Sequence, residues 1–543
     1  MEETDTKKIL PIHVILGANE YTKINMAGYQ RVGEIGEPIA EQTRFGWTIM
    51  SSGAEVDIEN MFLTQTSAAD YEELCRLDVL GLEDTPIGDQ RVVHQEFLEQ
   101  LKRSPEGWYE TALPWKGNHP PLPDNKLSSL KRLATLLHRI KRNGKLEEYD
   151  TIIREQLEEG VVEEAEMPAK GKEFYIPHKA VIRENAATTK MRIVYDASAR
   201  AKDTAPSLNE CLETGPLLQN QIWRVLVHGR FHAVAIAGDI RKAFLQVRIR
   251  EEDRDALRFH WIDRENPEKV RTLRFTRALF GLGPSPFLLG GVIQHHLDIC
   301  KPDYPETVSE IERGLYVDDL LTGGPTVEKA QQVKKTATEI FAKATFTLQK
   351  WNSNARELEL TEATDSEVGL TYAKEQLGEK PGACGLLGLR WNKEDDKIAV
   401  TFPTEIADPT KRGVLCKIAK IYDPIGLAAP VTLQGKIVYR NICKEKTAWD
   451  AEIPLQIAKK WSKWENNLPD QVEVPRSSAV AGEEIREITL HAFGDASGQG
   501  LEAAVYAVVQ QHSVVKQGLA SARSERKLKS HGGMYRAKQT LQT

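Results

Sequence analysis

The stretch ERGLYVDDLLTGG, residues 312–324, places two adjacent aspartates, Asp318 and Asp319, between two apolar runs. Apolar residues on both sides of a short polar centre predict a strand, a turn and a second strand. Carboxylates that are partly buried in such an element are costly unless a counter-charge neutralises them. A metal ion would supply that charge, so the segment predicts a metal site if the chain provides further ligands.

A third acid, Asp239, ends the apolar run AVAIAGD, residues 233–239. Oxygen-rich carboxylate sites suit Mg²⁺, which shares its coordination with water and with substrate phosphates. Two such ions about 4 Å apart can stabilise the attacking and leaving oxygens of an in-line phosphoryl transfer. Three acids on neighbouring strands therefore predict a two-metal polymerase site, although an Asp-Asp pair taken alone is also common in ordinary turns.

The bulk composition is that of a globular protein with several domains. The chain has 543 residues, 41% of them apolar and 28% charged, which predicts two to four domains. The net charge of −7 argues mildly against a nucleic-acid partner, but residues 126–145 contain seven Lys or Arg and no acid. That basic segment is either a solvated helix face or a nucleic-acid contact. Six scattered cysteines, without a C-x-x-C pair, favour a reducing, intracellular setting.

Periodicity and turn residues predict the main elements of the chain. We expect β-structure with tight turns over 9–50, a Pro-rich connector over 107–126, and two amphipathic helices over 127–160 that separate near Asn143-Gly144. The further predictions are a hairpin turning near Asn185, a helix from Ser285-Pro286, a helix over 326–344, a hairpin between 383–392 and 397–402, helices over 410–468, and a strand–turn–strand unit over 487–509.

The order of the motifs resembles that of the reverse transcriptases of long-terminal-repeat retrotransposons, most closely the BEL/Pao type. The resemblance covers roughly 127–470, and its clearest pieces are KMRIVYDASAR (190–200), SLNECLETGPLLQN (207–220), GDIRKAFLQVRI (238–249), LRFTRALFGLGPSPFLL (273–289), YVDDLLTGG (316–324), TLQKWNSN (347–354) and KIAKIYDPIGLAAPVTLQGKI (417–437). The resemblance implies an α+β multidomain protein, a right-hand polymerase of fingers, palm and thumb in which the palm is an antiparallel sheet.

The resemblance also implies roles for the acids. Asp239, Asp318 and Asp319 match the catalytic acids of the palm, which bind two Mg²⁺ ions, with Mn²⁺ as a possible substitute. On this basis the hypothesis is an RNA-directed DNA polymerase that joins a dNTP to a primer 3′-hydroxyl by two-metal nucleotidyl transfer.

Nucleotide-binding residues are implied in the same way. Phe244 matches an aromatic residue that crowds a ribose 2′-hydroxyl and so favours deoxynucleotides, although an ordinary core phenylalanine is the alternative. Arg192, with Lys190 in the same hairpin, matches the cation of the fingers that contacts the triphosphate. The other matching residues are Phe280 and Gly281, in a loop against which template and nucleotide pack, and Lys350, which aligns with a lysine proposed to protonate the leaving pyrophosphate.

The two ends resemble parts of other retroelement enzymes. Residues 1–60 resemble the C-terminal, β-rich part of a retropepsin-like protease, but the chain has no D-[ST]-G triplet, so we expect no protease activity. Residues 485–543 resemble a truncated ribonuclease H-like α/β segment with Asp495 at its first metal-ligand position. Matching downstream acids are lacking, so we expect no ribonuclease H activity. The C-terminal region of this family is also described as a Pao-type peptidase, yet no Ser/His/Asp or Cys/His arrangement supports proteolysis.

The expected domains between the two ends are a helical and Pro-rich connector (61–165), the fingers and palm (166–350), and the palm end with thumb or connection helices (351–480). The expected partners are an RNA template, a DNA primer and product, dNTPs and other polyprotein products, without a membrane. The expected location is the cytoplasm, in retroelement ribonucleoprotein particles. The alternative is an inactive or decayed remnant that at most binds nucleic acid, while an RNA-dependent RNA polymerase is disfavoured by Phe244.

Overall fold

The computed structural model of the protein describes residues 25–31, 39–43, 46–50, 90–182, 191–263, 266, 269–359, 383–496, 500–526 and 535–541. The chain divides into two compact units. The first consists of residues 1–85, 493–498 and 530–539, and the second of residues 86–492, 499–529 and 540–543.

The described residues are a mixture of helices and small sheets. The twelve α-helices among them are α1 Gln90–Gln100, α2 Lys126–Arg142, α3 Leu146–Glu158, α4 Leu208–Cys211, α5 Ile222–Gly229, α6 Glu251–Arg254, α7 Ser285–Cys300, α8 Pro305–Gly314, α9 Val327–Ala342, α10 Lys411–Ala419, α11 Ala429–Lys444 and α12 Leu455–Asn466. Short 3₁₀-helices are Ala243–Gln246, Asp255–Leu257 and Arg356–Leu358.

The strands in the described ranges fall into several separate sheets. They are β1 Asn25–Arg31, β2 Ile39–Thr43, β3 Gly46–Met50, β4 Lys102–Arg103, β5 Tyr109–Thr111, β6 Val162–Glu164, β7 His178–Ile182, β8 Met191–Tyr195, β9 Val234–Ile240, β10 Arg248–Ile249, β11 Arg258–Ile262, β12 Val270–Phe275, β13 Leu315–Tyr316, β14 Asp319–Gly324, β15 Leu348–Ser353, β16 Ala383–Leu386, β17 Leu389–Asn392, β18 Lys397–Thr401, β19 Gln471–Pro475, β20 Ile485–Ala496, β21 Gly500–Gln511, β22 Val515–Arg526 and β23 Tyr535–Leu541.

The first unit contains an antiparallel sheet of β1, β2 and β3. Strands β2 and β3 form a tight hairpin in which Thr43 is paired with Gly46 and Ile39 with Met50. The predicted β-structure is therefore confirmed for the described part of 9–50, and residues 1–24 lie outside the described residues.

The second unit is built around a four-stranded sheet in the order β13-β14-β9-β15, called here the central sheet. Strand β9 contains the small and apolar residues 234–238 that precede Asp239, and it pairs antiparallel with both β14 and β15. Helices α8 and α9 pack on β14. The buried residues on β9 and β14 include Val234, Ile236, Leu320 and Leu321. A buried sheet of this kind holds the side chains at the ends of its strands in fixed positions.

Helices α2 and α3 cover a neighbouring part of the fold and match their prediction. The buried side chains of α2 follow helical spacing at Leu133, Leu136 and Ile140. The helix ends at Arg142 with Asn143 as its C-cap, and Gly144 adopts a positive φ of 62°, a conformation that glycine takes without strain. The hairpin of β7 and β8 and the start of α7 at Ser285 also agree with the sequence.

Two predictions need correction. The run 383–392 is two strands rather than one, because Leu387 and Gly388 turn the chain with positive φ between β16 and β17, so that β16, β17, β18 and β19 form one sheet. The Pro-rich connector over 107–126 also contains a regular element. Strand β5 pairs in parallel with β10 and antiparallel with β4.

The C-terminal part of the second unit combines helices α10 to α12 with the long strands β21 and β22, which pair antiparallel. Its residues Ile425, Leu427 and Ala428 share a core cluster with Leu321 of β14 and Trp391 of β17. The back of the central sheet is thus covered by this C-terminal part. Among the described residues, no helix has the length and apolar character needed to cross a membrane.

Candidate active site

The structure brings the three predicted acids together at one end of the central sheet. Asp319 is the direct cross-strand partner of Asp239 between β14 and β9. Asp318 lies one residue earlier, in the turn between β13 and β14, where Tyr316 is paired with Asp319. The three carboxylates therefore share a single sheet end, although Asp239 lies 79 residues before Asp318 in the chain.

The turn that carries Asp318 has an unusual backbone. Val317 adopts a φ of 55°, in the left-handed region that a β-branched residue rarely occupies. The carbonyl oxygen of Asp318 accepts a hydrogen bond of 2.8 Å from the backbone N–H of Ile240. This bond fastens the turn to the end of β9 and holds the acid pair beside Asp239.

Burial and mutual repulsion act on the acids of the turn. Burial, followed by the charges of Asp318 and Asp239, raises the pKa of Asp319 to about 6. Burial and the charge of Asp239 also raise the pKa of Asp318. Since both shifts disfavour the ionised forms, this sheet end is a place where positive charge is favourable.

A lysine supplies part of that positive charge. The Nζ atom of Lys350 lies 3.2 Å from Oδ2 of Asp239, and Nε2 of Gln349 donates to the same oxygen at 3.2 Å. Lys350 lies where the register of β15 against β9 is interrupted, and it has a positive φ of 53°. Its side chain is 62% exposed. The irregularity lets successive residues 349 and 350 both face the acid.

An aromatic pair lies in the next loop. The rings of Phe244 and Phe280 meet edge to face, with centroids 4.4 Å apart. Phe244 is 6% exposed and belongs to a core cluster, whereas Phe280 is 57% exposed. Both interpretations of Phe244 therefore stay open, because a core position and a ring edge beside an exposed loop are both present.

The loop after Phe280 is shaped by glycine and by one asparagine. Gly281 has a φ of 96°, and a Cβ atom there would lie 2.2 Å from the carbonyl oxygen of Tyr195. The Nδ2 group of Asn209 donates to the carbonyl of Gly281 at 3.0 Å, and its Oδ1 accepts from the N–H of Gly283 at 2.8 Å. Asn209 thus positions the loop that was predicted to face template and nucleotide.

The two cations predicted to bind the triphosphate, Lys190 and Arg192, precede all three acids in the sequence. Arg192 is exposed on β8, paired across the hairpin with Val181. Lys190 lies outside the described residues. The structure therefore gives Arg192 an accessible position, and its role in nucleotide binding stays a prediction.

The basic segment 126–145 forms α2 and the turn after it. Its exposed basic residues lie opposite the buried Leu133, Leu136 and Ile140, and they are Lys131, Arg132, Arg139, Lys141 and Arg142. This arrangement is compatible with a solvated face and with a nucleic-acid contact alike.

One segment of the chain matches the model of a known protein family. Residues 410–531 match the family model described as the Pao retrotransposon-like RNaseH-like domain. The match supports a Pao-type retrotransposon protein. An RNaseH-like domain fits the helices and strands of the matched segment, which runs from α10 to β22 and includes Asp495, exposed near the end of β20. No significant match was found among curated proteins.

The matched segment does not include Asp239, Asp318 or Asp319, whose roles stay predictions. Two residues that contribute to this site, Gln349 and Asn209, could not be predicted from the sequence. Gln349 gave no local signal, because its partner Asp239 lies 110 residues away. Asn209 follows Ser207, whose capping box with Glu210 is readable from the S-x-x-E spacing, but its contacts with the 281–283 loop are not.

Proposed function

We propose that this protein is the RNA-directed DNA polymerase of a Pao-type retrotransposon. It would transfer a nucleotidyl group from a dNTP to a primer 3′-hydroxyl on an RNA template. The observation that carries the proposal is the pairing of Asp319 with Asp239 across β14 and β9, with Asp318 in the adjoining turn. Two raised carboxyl pKa values at one sheet end support a site built for cations and phosphates.

In this proposal the central sheet is the palm of a right-hand polymerase. The hairpin of β7 and β8, with its exposed Arg192, would belong to the fingers. The palm end would lie before residue 410, because helices α10 to α12, expected from the sequence to be thumb or connection helices, lie in the segment that matches the RNaseH-like domain. The antiparallel order β13-β14-β9-β15 supports the assignment. The partners would be RNA, DNA, dNTPs and other polyprotein products, in cytoplasmic ribonucleoprotein particles.

The residues at this sheet end fit Mg²⁺. Asp239, Asp318 and Asp319 offer only carboxylate oxygens, the donors that this ion prefers, and the ammonium of Lys350 already lies against Asp239. Bound Mg²⁺ would neutralise the phosphate charge that develops during transfer.

The chain's own residues would do the remaining work. The half-buried acids of the 316–319 turn hold the reacting groups next to a rigid sheet end, which lowers the entropy cost of their alignment. The exposed side chain of Lys350 is long enough to leave Asp239 and give its proton at Nζ to the departing pyrophosphate. Arg192 would hold the triphosphate by paired hydrogen bonds. The Phe244–Phe280 pair would form the side of the pocket that contacts the sugar of the nucleotide.

Primer extension on an RNA template with dNTPs and Mg²⁺ tests the proposal. We expect incorporation by the wild-type protein. Replacement Asp318→Asn removes a ligand charge without changing side-chain shape, so it should lower the rate at least about a hundredfold.

The matched control is Asp298→Asn, which changes an exposed acid on α7 and should leave the rate unchanged. Absence of incorporation by the folded wild-type protein, under conditions where a related enzyme works, would contradict the polymerase. Salt-sensitive RNA binding without incorporation would instead support an inactive remnant.

A further inference from the structure

A second group of metal-binding side chains lies away from the three acids. His228, at the end of α5, and His232, four residues later, face Glu310 of α8. Nε2 of His228 lies 3.1 Å from Oε2 of Glu310, Nε2 of His232 lies 3.3 Å from the same oxygen, and the two Nε2 atoms lie 3.3 Å apart. Each of the three potential ligand atoms therefore lies close to the other two.

Hydrogen bonds alone do not account for all three contacts. Each Nε2 atom carries at most one hydrogen, and an ionised carboxylate carries none. If both nitrogens donate to Glu310, no hydrogen remains for the contact between the two nitrogens.

The same three distances match the edges of a metal coordination shell. A tetrahedral Zn²⁺ ion with bonds of about 2.0–2.1 Å places its ligand atoms about 3.3 Å apart. The measured separations of 3.1, 3.3 and 3.3 Å agree with that edge. Two imidazoles and one carboxylate are also a donor set that zinc takes in proteins.

We propose that His228, His232 and Glu310 bind a Zn²⁺ ion with water in the fourth position. The side chains are 22%, 12% and 25% exposed, so the group is largely shielded but still partly accessible to solvent. The site is independent of the proposed polymerase chemistry, since none of its ligands belongs to the acids of the central sheet.

Two arginines near the group do not oppose a cation strongly. The guanidinium of Arg476 lies at the carbonyl of His232, but Asp396 neutralises it through hydrogen bonds of 2.6 and 2.7 Å. Nη1 of Arg313 lies 3.9 Å from Oε1 of Glu310, whereas the two histidine contacts are made to Oε2. Its side chain is exposed, so solvent screens its charge.

The position of the site indicates what the ion does. It would join the end of α5, which leads through residues 230–233 to β9, to α8, which leads directly into β13 and the Asp318 turn. Both strands that carry the acids are thus connected to the proposed metal ligands. The ion would fix the two helices behind the central sheet and take no part in the reaction.

Metal-depleted full-length protein is the material for the test. It is titrated with Zn²⁺ in excess Mg²⁺, so that the carboxylate site is already filled, and with Co²⁺ as a spectroscopic probe. We expect one tight equivalent, an intense visible Co²⁺ spectrum of tetrahedral type, and a rise of about 3 °C in Tm at a hundredfold excess over Kd. His228→Gln should weaken that equivalent at least about a hundredfold and abolish the rise in Tm.

The matched control is His138→Gln, which changes an exposed histidine on α2 and should leave binding and the Tm shift unchanged. Equal binding by wild type and His228→Gln would overturn the site and leave an ordinary hydrogen-bonded cluster. If His228→Gln does not fold, X-ray absorption of the zinc-loaded wild type decides. A first shell without two imidazole nitrogens would overturn the proposal.

Discussion

At the residue scale, the acids of the 316–319 turn show how a costly placement is made tolerable. Burial and like charges raise the pKa of both Asp318 and Asp319, and the ammonium group of Lys350 contacts Asp239 beside them. The negative charge of Asp319 is therefore poorly compensated, and its pKa of about 6 stands above the value of about 3.9 expected in an unfolded chain.

This shift predicts how one substitution changes stability with pH. Because the folded-state pKa of Asp319 is raised, its contribution favours folding below about pH 4 and is lost as the pH rises through about 6. In EDTA at pH 7.5, Asp319→Asn should therefore raise the free energy of unfolding, on the order of 1 kcal/mol after allowance for solvent screening. Urea denaturation at pH 5 should show a smaller gain.

The control for this experiment is Asp298→Asn, an exposed acid on α7 that should give no pH-dependent gain. A gain from Asp319→Asn that is equal or larger at pH 5 than at pH 7.5 would contradict the assigned sign. Mg²⁺ should raise the Tm of the wild type more than that of the variant, because the variant lacks one ligand charge.

Phe244 allows the two interpretations of an aromatic residue to be separated. Phe244→Ala should raise the ratio of kcat/KM for ribonucleotides to that for deoxynucleotides at least about tenfold, because the ring edge that would meet a 2′-hydroxyl is gone. The ratio is independent of how much protein remains folded. Phe341→Ala, in a buried phenylalanine of α9, should lower stability by about 3 kcal/mol and leave the ratio unchanged. An unchanged ratio in active Phe244→Ala would leave Phe244 as a core residue only.

Single residues could be predicted from the sequence only where a motif fixes their position. The Asp-Asp pair and Asp239 were recognisable because each interrupts an apolar run, and the structure places them side by side. Gln349 and the His228–Glu310 contact were not recognisable, since their partners lie 110 and 82 residues away and nothing local marks them.

At the element scale, one buried arginine ties together pieces from distant parts of the chain. Arg476 follows β19 and is 1% exposed. It forms a bidentate pair with Asp396, and its remaining N–H groups donate to the carbonyls of Gly229, His232 and Ala233 at 2.7, 2.9 and 3.2 Å. All five of its donors are directed at oxygen atoms, so the segment between α5 and β9 is fastened to the sheet of β16 to β19.

A conservative change at this position should be disruptive. Arg476→Lys keeps the charge but offers at most three donors from a single atom, so buried oxygens lose their partners. We expect the free energy of unfolding to fall by about 3 kcal/mol in urea denaturation. Arg412→Lys is the matched control, because Arg412 makes a bidentate pair with Asp450 on the exposed surface and should show little change. Similar small losses in both variants would contradict the role of Arg476.

Elements were predicted well where the signals that begin and end them are local. The separation of α2 from α3 at Asn143-Gly144 and the start of α7 at Ser285-Pro286 are examples. The turn between β16 and β17 was missed because it is set by a distant contact. The hydroxyl of Tyr422 donates to the carbonyl of Leu387 at 2.8 Å, and a Cβ on Gly388 would lie 2.8 Å from the Tyr422 ring. An apolar Leu-Leu-Gly run gives no sign of such a turn.

At the scale of the whole molecule, the second unit has cores on both sides of the central sheet. Ile240 and Leu320 belong to the larger cluster, whereas Ala235 and Leu321 belong to the cluster that contains Ile425. Within the family-matched segment, the N–H of Ala522 donates to the carbonyl of Ile425 at 2.8 Å. The part of the matched segment around Ile425 therefore shares its core with the central sheet.

A fragment tests this continuity. Residues 410–531 expressed alone would expose the apolar side chains that meet the central sheet, including the fully buried Ile425. We expect no cooperative thermal transition and strong binding of a hydrophobic dye, in contrast to the full chain. A sharp transition with a native-like near-ultraviolet circular dichroism signal would show that the segment folds on its own.

The donors of Arg476 also set an order of events during synthesis. Its partner carbonyl at Gly229 lies 247 residues earlier in the chain. At roughly 5–20 residues per second, a ribosome needs roughly 12–50 s to make that interval. Throughout that time the nascent segment between α5 and β9 lacks the guanidinium that satisfies its carbonyl oxygens. A chaperone that shields this segment would therefore act before residue 476 emerges.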